Sequence, residues 1–364
     1  MSLNPFKKST ILGVDIGHKN FKVVQVERSG DIWKVVRAGR IATPADTVKD
    51  GVVVDVKAAG EALKQLMREA RISGGRAVIA VAGASVIVRT VRIPKMAEAT
   101  LRKSIKYEAG RYVPSSVEDS FIEFEILSEA PDEQMDVMIV AAPKEIVQSR
   151  MEACQVAGLD TEIVDIEAFA SYRALVEADG DPSNLQETIA LIDIGENSTS
   201  VSVVTNGEFA MARSIPHAGR TLTEALVSYF QLEQQDAEEG KAQLDLNVLV
   251  NKEKDKPIEN PPLRVIQPHI DELIREVRRS LNYYQSQTSE RGEPLPVKRL
   301  VVSGGSALMP GLPQYVGHKL GMEVVSRGVF DNPRFVQIGD AAEGSGMDLS
   351  VASGLAMRGF AKAA

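Results

Sequence analysis

The 364-residue chain contains a single cysteine, Cys154. One thiol can neither close an internal disulfide nor build a multi-thiolate metal site, which fits a reducing compartment. Long apolar runs are also missing. The longest uncharged apolar run, Ala77 to Val88, falls short of the roughly 20 residues that a membrane-spanning helix needs. There is no excess of basic charge: 42 Lys and Arg against 50 Asp and Glu give a formal net charge of −8. Self-repulsion then opposes generic binding to a phosphate backbone, and nucleic acid is disfavoured as a partner. The opening MSLNPFKKST is not followed by an apolar core of signal-peptide length. The closing LAMRGFAKAA is too short and too weakly amphipathic for an interfacial helix. The expectation is a cytoplasmic protein with no direct membrane insertion. His217, His269 and His318 show no metal-ligand spacing, and no Gly-x-Ser-x-Gly nucleophile turn is present.

What is there is ordinary globular composition, with 44% hydrophobic and 25% charged residues, in a length that suits two large domains or one bilobal unit. One internal similarity organises the chain. LGVDIGHKNFKVVQV at 12–26 matches LIDIGENSTSVSVV at 191–204, which sets the two Asp-Ile-Gly cores 178 residues apart. Each reads as a strand ending in Asp, a Gly-containing turn and a second strand, so each half begins with the same hairpin. Two similar α/β lobes are the economical inference. Between the hairpins, Lys57 to Ala70 reads as a helix and Ala77 to Val91 as strand. Ile93-Pro94, a helix over Ala97 to Tyr112, strands over Phe121–Leu127 and Val137–Ala141, and a helix over Lys144–Ala157 then form a βαββα block. That block, from about 85 to 160, is expected as a small α+β module inserted in the first lobe. In the second half, Thr221–Leu232 reads as a helix and Asn251–Pro262 as a surface loop. Val265–Ser286 is a long amphipathic helix with Ile266, Ile270, Leu273, Ile274, Val277, Leu281 and Tyr284 on its apolar face.

A single Asp-Ile-Gly is only a strand ending in a turn, but two copies at half-chain spacing point to a shared ligand, a nucleotide held between the hairpins. Glycine tips let backbone N–H groups approach phosphate oxygens. Asp15 and Asp193 can hold magnesium, directly or through water, because magnesium prefers one or two carboxylates together with phosphate oxygens. Lys22 can reach phosphates from the first hairpin, and Ser198 and Thr199 can donate hydroxyl hydrogen bonds from the second. The turn Ser303-Gly304-Gly305 follows a strand and would let ribose or adenine lie against the backbone.

The order of these motifs, closed by VASGLAMRG at 351–359, resembles the actin/hexokinase/heat-shock-chaperone ATPase superfamily. The inserted block resembles the subdomain of FtsA-like proteins. Arg92-Ile93-Pro94-Lys95-Met96 with LRKSIKYEAGRYVP at 101–114 is similar to the type IV pilus assembly PilM family. The resemblance implies a bilobal actin-like ATPase fold of duplicated ribonuclease H-like lobes with an inserted α+β subdomain. Its subdomains would be 1A at 9–84 (completed by 161–187 and 335–364), 1C at 85–160, 2A at 188–225 and 290–334, and 2B at 226–289. It also implies ATP and magnesium as ligands. Asp15, Gly17 and Lys22 match the first phosphate motif; Asp193, Gly195, Ser198 and Thr199 match the second; Gly304 and Gly305 match the adenosine motif. Glu238 and Lys241 are similar to the helical pair that contacts the nucleoside. Glu167 matches a position whose acid or amide can orient the attacking water, and a plain helix residue is its alternative. His18 and Lys19 stand where small or hydroxyl residues are usual, and Ala218-Gly219 replaces a Gly-Gly pair, so binding is expected with at most slow hydrolysis.

The resemblance further implies an adaptor that docks the N-terminal cytosolic peptide of a PilN-like single-span inner-membrane protein, and is thereby peripheral to the membrane. Other pilus platform and motor components, and self-association, are further expected contacts. An FtsA-like filament-forming cell-division protein is the alternative. A sugar-kinase-type phosphotransferase is disfavoured because no base or pocket for an acceptor hydroxyl can be located.

Overall fold

The computed structural model describes residues 11–113, 116–251, 259–290, 295–338 and 344–360. Most of the loop expected at 251–262, residues 291–294 and the two chain ends lie outside the described residues. The chain begins with an antiparallel meander of β1 (Ile11–Ile16), β2 (Asn20–Ser29) and β3 (Ile32–Ala42). A small ribbon, β4 (Val48–Lys49) with β5 (Val52–Val53), leads into helix α1 (Val56–Glu69), and β6 (Arg76–Val81) returns parallel to β1. Next come β7 (Ile87–Pro94), α2 (Glu98–Ala109), β8 (Ser120–Ala130) and β9 (Gln134–Pro143). Helix α3 (Lys144–Val156), β10 (Asp160–Ile166) and α4 (Glu167–Leu175) complete the first half. A second meander, β11 (Thr188–Ile194), β12 (Thr199–Thr205) and β13 (Glu208–Ile215), opens the second. Four helices follow: α5 (Gly219–Phe230), α6 (Gln234–Ala242), α7 (Asn247–Val250) and α8 (Pro261–Glu290). The chain ends through β14 (Arg299–Ser303), α9 (Leu312–Leu320), β15 (Val324–Ser326), β16 (Phe335–Gln337) and α10 (Ser350–Arg358).

The chain divides into two compact units. The first comprises Met1–Ala82, Lys144–Asp179 and Gly328–Ala364; the second comprises Gly83–Pro143 and Gly180–Arg327. In the first, a six-stranded sheet runs β10-β6-β1-β2-β3-β16. In the second, an eight-stranded sheet runs β15-β14-β11-β12-β13-β7-β9-β8. The first five positions of each list are equivalent: an antiparallel meander whose first strand is flanked by two successive parallel strands. The duplication read from the Asp-Ile-Gly hairpins thus extends to five strands of each sheet.

Burial explains why these segments take these forms. All six residues of β1 are buried, as expected for a central strand covered on both faces. Helix α1 starts where the Asp55 carboxylate accepts from the Ala58 N–H at 2.9 Å, satisfying one of the free donors of the first turn. Its Ala59, Leu63, Leu66 and Met67 then pack on the sheet. On the opposite side α10 lies so close to α4 that a Cβ at Gly354 would sit 1.8 Å from the Ala170 carbonyl oxygen. The seven apolar positions expected on α8 are all buried.

The inserted module differs from expectation at both ends. Its first strand, β7, pairs with β13, so Gly83–Pro143 extends the sheet of the second unit instead of belonging to the first. Edge strand β13 offers unpaired backbone groups, and a neighbouring strand satisfies them. Helix α3, expected as the module's last element, leaves it. Its Ile146, Val147, Ala153 and Cys154 are buried, and Ala153 and Cys154 join α1 in the core of the first unit. Among the described residues no helix is long and apolar enough to cross a membrane.

Candidate functional site

The predicted residues fall into two groups, one in each unit. In the first unit Asp15 and Lys22 face each other across β1 and β2, a register set by the two-strand hairpin. Asp15 is 6% exposed, and its Oδ2 accepts from Lys22 Nζ at 2.8 Å. A carboxylate this buried requires a partner, and the cross-strand lysine provides one. Gly17 closes the hairpin, its carbonyl accepting from Thr43 Oγ1 at 2.7 Å. Glu167 opens α4 at the end of β10, partly exposed. Its Oε1 is 3.9 Å from NH1 of Arg150, a side chain only 2% exposed. Arg150 also donates from Nε to the Gly51 carbonyl at 3.0 Å and from NH1 to the Ala80 carbonyl at 2.9 Å. Nothing in the sequence around Arg150 marks it, because an arginine on an amphipathic helix usually faces water.

In the second unit the structure brings three motifs together. Gly195 donates its N–H to the Ser198 carbonyl at 3.1 Å, tightening the second hairpin, and its own carbonyl accepts from Ser306 Oγ at 2.7 Å and from the Gly219 N–H at 3.1 Å. The hairpin tip, the Ser-Gly-Gly turn and the start of α5 therefore share one carbonyl. Gly304 has φ +98°, and a Cβ there would lie 2.5 Å from the Ile194 oxygen and 2.7 Å from Asp193 Oδ1. Gly304 is therefore needed for packing against the second Asp-Ile-Gly. Gly305, by contrast, is exposed.

Thr199 departs from its expected role. It is fully buried, and its hydroxyl donates to the His217 carbonyl at 2.7 Å, so it holds the hairpin to the loop before α5. Asp193 and Ser198 are partly exposed at the tip. Between them Asn197 Oδ1 is buried without a hydrogen-bond partner among the described residues. An amide's oxygen and nitrogen are interchangeable by a flip, so this position can turn a donor toward a phosphate or an acceptor toward a hydroxyl.

Glu238 and Lys241 lie one turn apart on α6 beneath α5. Lys241 is 4% exposed, and its Nζ reaches Glu238 Oε1 at 2.6 Å, Thr223 Oγ1 at 2.7 Å and the Gly219 carbonyl at 3.1 Å. Thr223 also bonds Glu238. An ammonium with three donors is thus matched by three acceptors, and α5 is pinned to α6 at the turn that meets the hairpin. Thr223 was not singled out in the sequence; its spacing from Gly219 by one helical turn is the only signal of its place.

Duplicated sheets, each beginning in an Asp-Ile-Gly hairpin, together with a Ser-Gly-Gly turn, define the actin-like ATPase fold. The chain belongs to the type IV pilus assembly protein PilM family, whose model matches residues 13–360. It is 26% identical to a chain in the solved PilM-PilN type IV pilus biogenesis complex, covering 96% of this chain and 98% of that one with a TM-score of 0.81. It is 21% identical over 341 residues to the cell division protein FtsA of Bacillus subtilis (strain 168), covering 83% of this chain and 74% of that one. MreB5 of Spiroplasma citri bound to AMPPNP shares the fold at 15% identity and a TM-score of 0.52, over 98% of this chain and 97% of that one.

Proposed function

We propose that this chain is an ATP-binding adaptor of the type IV pilus assembly platform that docks the N-terminal cytosolic peptide of a PilN-like single-span membrane protein. The observation that carries this reading is the match along nearly the whole chain to the PilM-PilN complex. On this reading the protein sits on the cytoplasmic face of the inner membrane, held there by the peptide, and further platform and motor components or other copies of the chain attach to it. The peptide docks on the inserted module. It loses chain entropy on ordering, so a few apolar anchors carry most of its affinity.

ATP with magnesium is the nucleotide ligand. Asp15 and Asp193 hold the metal, Lys22 and the glycine tips meet the phosphates, and Gly304 and Gly305 lie beside the adenosine. The orphaned amide oxygen of Asn197 supports a polar ligand at the second hairpin. Lys241, Glu238 and Thr199 act by fixing the turns that carry the ligand-facing groups. Glu167 orients water, and turnover falls below the roughly 1–1000 per second of typical enzymes.

Calorimetry on the full chain tests both halves of the reading. ATP with magnesium is expected to bind the wild type and to bind Asp15→Ala and Asp193→Ala at least tenfold more weakly. A synthetic PilN-like N-terminal peptide is expected to bind all three. Absence of heat with either ligand at protein concentrations well above micromolar would remove that half.

A further inference from the structure

Strands β7 and β13 meet along two residue pairs only, Arg89 with Met211 and Val88 with Ala212, although β7 is paired along its whole length with β9 on its other side. Over this open seam, within the second unit, lies a cavity of about 820 Å³, in the range of roughly 300–1000 Å³ that holds small ligands or peptide side chains. Tyr112 and Leu127 of the module wall it on one side, Tyr283 of α8 on another, and Phe209 of β13 contributes to its lining.

Arg89 stands in this cleft on a preorganised mount. It donates to the Tyr283 hydroxyl at 2.7 Å, and its guanidinium carbon lies 5.3 Å from the centroid of the Tyr112 ring. Both partners are neutral, and Arg89 has no carboxylate partner among the described residues. Its neighbours are committed elsewhere. Arg92 is gripped by both oxygens of Asp136 at 2.9 and 2.8 Å, and Arg213 bonds Ser280 and Glu276 of α8. Tyr283 occupies one of the five N–H donors of Arg89, and a planar fork of donors is the complement of a carboxylate.

We infer that this cleft is a second docking site, which takes an extended peptide of a partner protein presenting an Asp or Glu between aromatic or aliphatic residues. Charge complementarity selects this occupant. The chain as a whole carries eight more acidic than basic side chains and repels an acidic peptide over most of its surface, whereas in the cleft, where Arg92 and Arg213 are matched by Asp136 and Glu276 and Glu208 also lies in the lining, Arg89 offers a guanidinium without a carboxylate partner among the described residues. The aromatic walls accept the flanking side chains, and the fixed guanidinium loses little freedom when the carboxylate arrives. For its biological setting the inference rests on the adaptor reading, because a protein that links two assemblies needs two attachment surfaces.

Fluorescence polarisation on the full chain tests it with two labelled hexapeptides, Ala-Val-Phe-Glu-Val-Ala and its Gln counterpart. The Glu peptide is expected to bind about tenfold or more tightly than the Gln peptide, as loss of a charged hydrogen-bonded pair implies. Arg89→Gln is expected to bring the Glu peptide down to the level of the Gln peptide. Thr288→Trp, which fills the cleft while leaving Arg89 and its two partners in place, is expected to abolish binding, and this variant decides the matter if Arg89→Gln folds poorly. A PilN-like peptide is expected to bind both variants within about twofold of wild type. Equal binding of the two hexapeptides, failure of both to bind wild type, or undiminished binding to Thr288→Trp overturns the inference while a PilN-like peptide that still binds leaves the adaptor reading standing. A PilN-like peptide that fails to bind wild type overturns that reading alone. Loss of the PilN-like peptide in Arg89→Gln makes this cleft that peptide's own dock and overturns the second site.

Discussion

Arg150 shows how far a single residue's role departs from its type. Its guanidinium is buried under α3 because three oxygens meet it there, the carbonyls of Gly51 and Ala80 and the carboxylate of Glu167. Arg150→Met fills the space but leaves two carbonyls unpaired, at an expected cost of about 2–4 kcal/mol. The check is a lowered urea midpoint, with a smaller loss in Glu167→Gln, whose partner keeps both carbonyl bonds. Gly304→Ala is expected to destabilise by about 1–3 kcal/mol, since φ +98° is strained for any side chain and Asp193 stands in the way. The same variant is expected to weaken ATP binding, read by calorimetry.

Cys154 is the residue-scale case with a pH signature. Burial pushes its thiol from the ordinary 9.0 up to about 11. The folded chain therefore holds its proton in a range where the unfolded chain releases it, and its contribution to stability is complete below pH 9 and lost as pH rises from 9 to about 11. Wild type is expected to lose more stability than Cys154→Ala between pH 8.5 and 10.5 in urea titrations. At pH 8 a thiol reagent is expected to label Cys154 only after denaturant is added.

At the scale of elements, the module's core is compact: Leu101 of α2 packs with Val91, Val137 and Ile139 of the strands beneath it. Leu101→Ala is expected to cost about 2–5 kcal/mol. Hydrogen exchange is expected to rise first in Gly83–Pro143, with β1, β2 and β6 unchanged. Helix α8 was legible residue by residue, because its apolar stripe repeats at the helical period whatever it packs against. The placement of α3 was not legible. Its pattern of buried positions specifies a helix with one covered face, and the same pattern fits the module's sheet or α1 equally well. The seam between β7 and β13 was hidden for a related reason, since a strand's alternation does not name its neighbour.

For the whole molecule, nucleotide is expected to act as a stabiliser by mass action. ATP with magnesium at 100 times its Kd adds about 2.7 kcal/mol to the state that binds it, and a thermal scan should show a rise of a few degrees in wild type and about half that rise or less in Asp193→Ala at the same ATP concentration. Deleting 83–143, bounded by the observed module, is expected to release the protein from the membrane fraction of pilus-bearing cells. A folded deletion variant that still sediments with membranes would place the peptide dock elsewhere.

Local chemistry in the sequence was enough to determine the duplicated Asp-Ile-Gly hairpins, the strand-to-helix succession, the Ser-Gly-Gly turn and the family resemblance. Turn geometry and hydrophobic period act over a few residues and are written into any short stretch. Tertiary structure alone decided that Lys22 spends its charge on Asp15, that Thr199 and Lys241 are held by backbone carbonyls from other elements, and that Arg150 is buried. It also decided that the module lengthens the sheet of the second unit and leaves an unmatched arginine in the cleft at the join. Lys22 finds its partner seven residues back, across one hairpin; the others depend on backbone partners 18 to 99 residues away or on a strand neighbour that pairing geometry leaves open. Burial and charge pairing are properties of the surroundings that folding assembles, and no single segment carries them.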